Sequence, residues 1–110
     1  DKFICFLLFY INCFKLKLLP DDLLYNCILN IQTFLNNQLN VENNKFCCEI
    51  LTNFIFIMIS NSYDLLKDEK YNEIFENIKY INSMKNGDYV GLNNKIIFKH
   101  RDIFEKYKPH

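Results

Sequence analysis

An all-α fold, built as a stack of antiparallel helix hairpins with about five helices, is what this sequence predicts. Three observations predict it. Apolar residues recur at helical spacing in five separate stretches, the clearest being Leu23, Leu24, Cys27, Ile28, Ile31, Phe34 and Leu35, the stripe of a helix that buries one face. The breaks between the stretches are short, which makes consecutive helices antiparallel neighbours. Half of the 110 residues are hydrophobic and 16% are aromatic, enough for a real core and too apolar for wholesale disorder.

The first helix is expected from Lys2 to Lys17, stopping near Leu18-Leu19 because the residue before Pro20 avoids helical geometry. Its run Phe3 to Phe14 is strongly apolar but only about twelve residues long, against about twenty for a membrane span. It has no small-residue cleavage site either, so it reads as a central helix wetted on neither side. The second helix opens with Pro20-Asp21-Asp22 and runs to about Asn37. Proline is tolerated there because a first-turn N–H has no partner anyway, and the two carboxylates sit at the positive end of the helix dipole.

After the polar break Asn36 to Asn40, the third helix starts near Val41-Glu42 and carries Phe46, Cys47, Ile50, Leu51, Phe54, Ile57 and Met58. Its tail, Phe54 to Ile59, is a run of β-formers, but the helical ladder enters it unbroken from Phe46 and keeps it helical. Ser60-Asn61-Ser62 reads as a turn. The fourth helix, Lys67 to Met84, shows Tyr71, Ile74, Phe75, Ile78 and Ile81 on one face. Both glycines, Gly87 and Gly91, fall in one loop. The fifth helix, Leu92 to Tyr107, carries Ile96, Ile97, His100, Ile103, Phe104 and Tyr107, and ends before Pro109.

Helices two and three make one hairpin, four and five another, and the first is left over from a preceding pair. The spacing between pairs is near the ~40–47 residues of HEAT-class repeats, so the stack reads as a HEAT-like α-solenoid. The chain begins with Asp rather than Met. Residues 1–110 are therefore expected to be the carboxy-terminal part of one helical-repeat domain, cut from a longer protein. With its first helix uncovered, such a piece is expected to self-associate or to need upstream residues.

Thirteen Lys and Arg balance thirteen Asp and Glu, which argues against a chain whose main work is wrapping nucleic acid. Alanine and tryptophan are absent and Asn is abundant. Helices so rich in Asn must be held by packing rather than propensity. The five cysteines, Cys5, Cys13, Cys27, Cys47 and Cys48, include no CxxC pair and sit in apolar stripes, as buried free thiols of a reducing compartment do.

Candidate chemistry is thin. His100 shares a face with Ile96, Ile103 and Phe104, with no nucleophile or carboxylate suggested beside it, so it reads as a packing histidine; His110 is terminal and free. Glu73 and Glu76, preceded by Asp64, Asp68 and Glu69, alternate with Lys67, Lys70 and Lys79, the pattern of a solvated helix face. No phosphate loop, metal-ligand spacing or Ser/His/Asp set occurs, so neither an enzyme nor a bound cofactor or metal is expected. Cys47 or Cys48 beside Lys45 would be the only nucleophile of a cysteine-dependent alternative. Lys95, Lys99, Arg101, Lys106 and Lys108 make the last helix locally basic. They either complement the helix dipole or face an acidic protein surface or RNA phosphates.

The stretch Phe9-Tyr10-Ile11-Asn12-Cys13-Phe14-Lys15-Leu16-Lys17-Leu18-Leu19, followed by Leu23-Leu24-Tyr25-Asn26-Cys27-Ile28, resembles the signature of the middle domain of initiation factor 4 gamma. That family reads approximately FIGELFKLKML there, leading into IMxxCV. Cys48-Glu49-Ile50-Leu51-Thr52 is similar to its CxxLLT segment. Lys95-Ile96-Ile97-Phe98 with Asp102-Ile103-Phe104-Glu105 resembles its closing helix, roughly RIRFxxxDVLDL. The four blocks keep the family's order, although Ile11-Asn12 replaces the Gly-Glu of the first.

The resemblance implies the carboxy-terminal half of a HEAT-type scaffold without catalysis, acting in mRNA metabolism in the cytoplasm, with the nucleus as the other location. Its implied partners are a DEAD-box RNA helicase and RNA, with no membrane and no small-molecule substrate. Lys95, Lys99 and Arg101 are the residues implied to touch a partner. Phe98, Asp102 and Glu105 favour a translation initiation scaffold. The alternative is the second such domain of a nonsense-mediated mRNA decay factor, which Phe56 to Ile59 and Pro109 resemble.

Overall fold

The computed structural model describes residues 2–110, and every regular element among them is helical. The order is α1 (Lys2–Lys15), α2 (Asp21–Gln38), α3 (Lys45–Ser62), a single 3-10 turn (Tyr63–Leu65), α4 (Tyr71–Asn82) and α5 (Asn94–Lys106).

Helix ends differ from the expected ones for local reasons. α1 stops at Lys15 because Lys17 takes a left-handed φ of 61°. Its N–H bonds to Phe14 O, while Leu18 N–H reaches Cys13 O; this pair of bonds is a Schellman cap. α3 starts at Lys45, not at Val41-Glu42, after Asn43 turns the chain with a φ of 61°, a conformation Asn tolerates. Ser60-Asn61-Ser62 is helix rather than turn. Asn61 Nδ2 donates to Ile57 O at 2.8 Å, and Ser62 Oγ donates to Met58 O. The polar side chains thus bond back onto the preceding turn instead of breaking it. α4 starts at Tyr71 rather than Lys67, because the Asp68 carboxylate accepts the Lys70 N–H at 3.0 Å and closes a turn there. α5 starts after Asn93, whose Oδ1 accepts from Ile96 N at 3.0 Å, a side-chain N-cap.

Cross-helix bonds give the directions. The sulfurs of Cys27 and Met58 lie 3.9 Å apart, setting the start of α2 against the end of α3. Phe75 stacks on Phe104 at 5.3 Å, and Tyr71 OH donates to Tyr107 O at 2.6 Å, so α4 and α5 run antiparallel. α2 and α4 run in the same sense. Lys70 pairs with Asp22 near their starts. Farther along, Gln32 donates to Ile74 O at 3.1 Å and accepts from Asn77 at 3.0 Å. α1 packs on α3, and α3 on α5. The helices therefore form two layers, α1-α3-α5 over α2-α4. The molecule's 41 × 30 × 19 Å extents match two helices of about 10 Å in the thin direction.

α3 with the 3-10 turn, Lys45–Leu65, is long and apolar enough to cross a membrane by length and composition. Here it lies at the centre, touched by α1, α2 and α5. α1 is not the doubly covered helix expected from its composition. Only Ile11 and Phe14 are buried in it, and Phe6 and Phe9 stand open at the edge of the slab.

The loop carrying Gly91 seals the end opposite Tyr107. Gly91 N–H donates to Leu39 O at 2.8 Å, and a Cβ at Gly91 would stand 3.0 Å from both Gln38 O and Leu39 Cα. Backbone atoms cannot swing aside as a side chain does. Gly91→Ala is expected to lower stability by about 1–3 kcal/mol, the range for overpacking a filled site. A urea midpoint unchanged from the parent protein would show that this close approach is not needed.

Candidate functional site

Lys95 and Lys99 stand one turn apart on α5 and face α3 across a shallow cleft of about 180 Å³. Glu49, Thr52 and Asn53 of α3 form the opposite wall, and Ile96 lines it from α5. Asn93 fixes the geometry. While its Oδ1 caps α5, its Nδ2 donates to Glu49 Oε1 at 2.8 Å, so one side chain starts α5 and ties it to α3. The Lys99 ammonium lies 4.4 Å from the centre of the Phe56 ring, a cation–π distance. The Thr52 hydroxyl is buried behind the cleft and has no hydrogen-bond partner.

Arg101 does not join them. Its Nε donates to Asn82 Oδ1 at 3.2 Å, and its guanidinium lies 5.3 Å from the Phe98 ring. It therefore belongs to the α4 side of α5, away from the cleft. The three implied partner residues are split into a pair and a single cation. Among the described residues the ion pairs are Lys17–Asp21, Lys70–Asp22 and Lys79–Glu76. Both cleft lysines are thus uncommitted to a carboxylate and able to meet one from outside.

Sequence reasoning did not find the α3 wall. Glu49, Asn53 and Phe56 do recur at helical spacing, but spacing on one helix does not say which neighbour that face meets. Asn93 carried a readable signal: an Asn immediately before a helical stripe is a preferred N-cap.

The remaining candidates lie outside the cleft. His100 is fully buried on α5, its Nδ1–H donating to Ile96 O at 2.8 Å, and burial pushes its pKa down to about 4. His110 is not free: its ring stacks on Tyr63 at 4.3 Å, and its Nε2 lies 2.9 Å from Tyr63 O. All five thiols are free, but only Cys48 is buried and Cys5 is exposed. Burial, with Cys47 beside it, raises the Cys48 thiol to about 11, the opposite of what an activated nucleophile needs. Glu73 and Glu76 lie on the exposed side of α4, and Glu76 pairs with Lys79 at 3.4 Å. Among the described residues no group of His, Cys, Asp and Glu is arranged to hold a metal ion. No known family model, curated protein or solved structure matches the chain.

Proposed function

We propose that this chain is a non-catalytic helical scaffold that binds an acidic protein surface through the α3–α5 cleft. The observation that carries the proposal is the pair of cleft lysines, Lys95 and Lys99, neither of which forms an ion pair among the described residues, on a helix tied to α3 by the Asn93–Glu49 bond. Two such cations on rigid helices favour a carboxylate-bearing partner, while a zero net charge gives no broad field for nucleic acid. Hairpins laid side by side in two layers support a HEAT-like solenoid arrangement.

The four sequence blocks alone support placing the scaffold in translation initiation, with a DEAD-box RNA helicase as partner and RNA as a further contact. Calorimetric titration with the cap-complex DEAD-box helicase of the same organism tests this. Saturable binding is expected. It should weaken about tenfold or more in Lys95→Glu/Lys99→Glu, since reversing paired interface charges juxtaposes like charges. Arg101→Glu should change it far less, because Arg101 faces α4. Failure of the folded protein to bind overturns the initiation assignment and makes the nonsense-mediated decay machinery the next titrant.

A further inference from the structure

We propose that the α3–α5 cleft is a pocket for a single carboxylate, which enters end-on between Lys95 and Lys99 and accepts a hydrogen bond from the Thr52 hydroxyl behind them. This rests on the acidic-partner reading of the cleft and narrows it. The partner does not lay a charged surface across two lysines; it inserts one anionic group, an acidic side chain or a chain's own carboxylate end.

Thr52 carries the argument. It lines the cleft from α3, is only 2% exposed, and its hydroxyl has no hydrogen-bond partner. A threonine or serine within a helix can bond back to the carbonyl one turn earlier, as Ser62 does to Met58 O farther along the same helix. Thr52 makes no such bond. A buried hydroxyl left unbonded is costly, and the cost is recovered when an acceptor reaches it. A carboxylate is an acceptor only, so the Thr52 O–H donates to it, and such charge-assisted bonds are short and strong. The hydroxyl is closed to solvent in the free protein. The entering group reaches it by displacing the Lys95 and Lys99 side chains, whose four-carbon stems are flexible, while the Asn93–Glu49 bond keeps the two helices in place.

Size and charge select the occupant. The cleft holds about 180 Å³, below the ~300–1,000 Å³ of pockets that enclose drug-sized ligands. One side chain or one chain end fits; a helix or a nucleotide does not. Lys95 and Lys99 bring two positive charges to the cleft and Glu49 one negative charge, so the lining is left with one positive charge. A carboxylate neutralises it. A phosphate ester, at about −1.5 to −2 near pH 7, leaves excess negative charge facing Glu49. A neutral amide is rejected for a different reason: its NH2 group would face two ammonium donors with nothing to accept it.

Nuclear magnetic resonance titration of the nitrogen-15-labelled chain tests the pocket, with four probes. These are the capped peptide acetyl-Gly-Glu-Gly-amide, its Gln counterpart, acetyl-Gly-Gly-Gly with a free carboxylate end, and inorganic phosphate. Saturable shifts of the Thr52, Lys95 and Lys99 amides are expected with at least one carboxylate probe, and which of the two binds identifies the source. The Gln peptide should give none, and phosphate should bind at least tenfold more weakly. Thr52→Val keeps the shape and removes the donor. It should weaken carboxylate binding about tenfold while the urea midpoint holds or rises, and Thr52→Ser should retain binding. A Thr52 that serves only the fold would give the opposite pattern, lower stability at unchanged affinity. Preference for phosphate overturns the proposal whatever the variants do. Carboxylate binding that is lost in Lys95→Glu/Lys99→Glu yet unchanged in Thr52→Val also overturns it, while leaving the acidic-surface reading standing. Failure of every anion to shift the cleft amides overturns both.

Discussion

Phe14→Ala is expected to lower the stability of the domain by about 3–5 kcal/mol, the range for deleting a fully buried aromatic ring. Phe14 is completely buried and meets the Tyr10 ring edge-on at 4.9 Å. With Ile11 it is one of only two buried side chains on α1, so much of the helix's attachment to α3 passes through it. A domain of this size holds about 5–15 kcal/mol in all, so the loss is a large share of the total. Urea unfolding of the variant and the parent protein gives the number. Hydrogen exchange then shows where it acts. If α1 detaches alone, amides of residues 2–15 lose protection while α4 and α5 keep theirs. Phe98→Ala is the control: Phe98 is 53% exposed, and its removal should cost less than about 1 kcal/mol. Equal losses at Phe14 and Phe98 would show that burial does not set the attachment of α1.

The five helices were legible because a stripe at helical spacing is a property of one segment, and each stripe found a neighbour. Phe54 to Ile59 shows the principle at its hardest. β-propensity favoured a strand, and the ladder from Phe46 gave the helix that the structure has. Helix ends were less legible because they depend on single bonds. Nothing in the pattern marks Lys17 as a left-handed cap, and Ser60 to Ser62 look like a turn until their side chains are seen bonding to the preceding carbonyls. α1 was misplaced from centre to edge, since apolar composition reports what a helix needs covered and not what covers it.

The site was half legible for the same reason. Lys95 and Lys99 share a face by spacing, and that face is the cleft. Arg101 belongs to the same basic segment by sequence, yet its position around α5 sends it toward Asn82. Glu49, Asn53 and Phe56 enter the site from α3, and only the packing of α3 beside α5 brings them there. A cross-helix site needs the relative rotation of two helices, which neither helix encodes by itself.

The second large effect is on acid stability. His100 is neutral in the native protein down to about pH 4, because burial disfavours the charged ring more than its bond to Ile96 O favours it. In the unfolded chain the same ring takes its proton near pH 6.5. Above that value neither state is protonated and the histidine contributes no pH dependence. As pH falls from 6.5 to about 4, the unfolded state binds a proton that the native state refuses, and stability drops through this window. At 1.36 kcal/mol per pKa unit, the accumulated loss from this one ring is about 3 kcal/mol. His100→Leu removes the titrating group and the buried Nε2, which has no partner. The Ile96 carbonyl remains an acceptor within α5. Replacing a polar group whose second nitrogen is unsatisfied by an apolar side chain of similar size is expected to be nearly neutral at pH 7. The difference in unfolding free energy between variant and parent should therefore grow from pH 6.5 to 4 in favour of leucine, while carboxylate titration common to both cancels. Urea unfolding of the two proteins across that window measures the difference directly. A difference that stays constant would mean that His100 takes its proton inside the folded protein, and that the ring is not sealed between α5 and its neighbours.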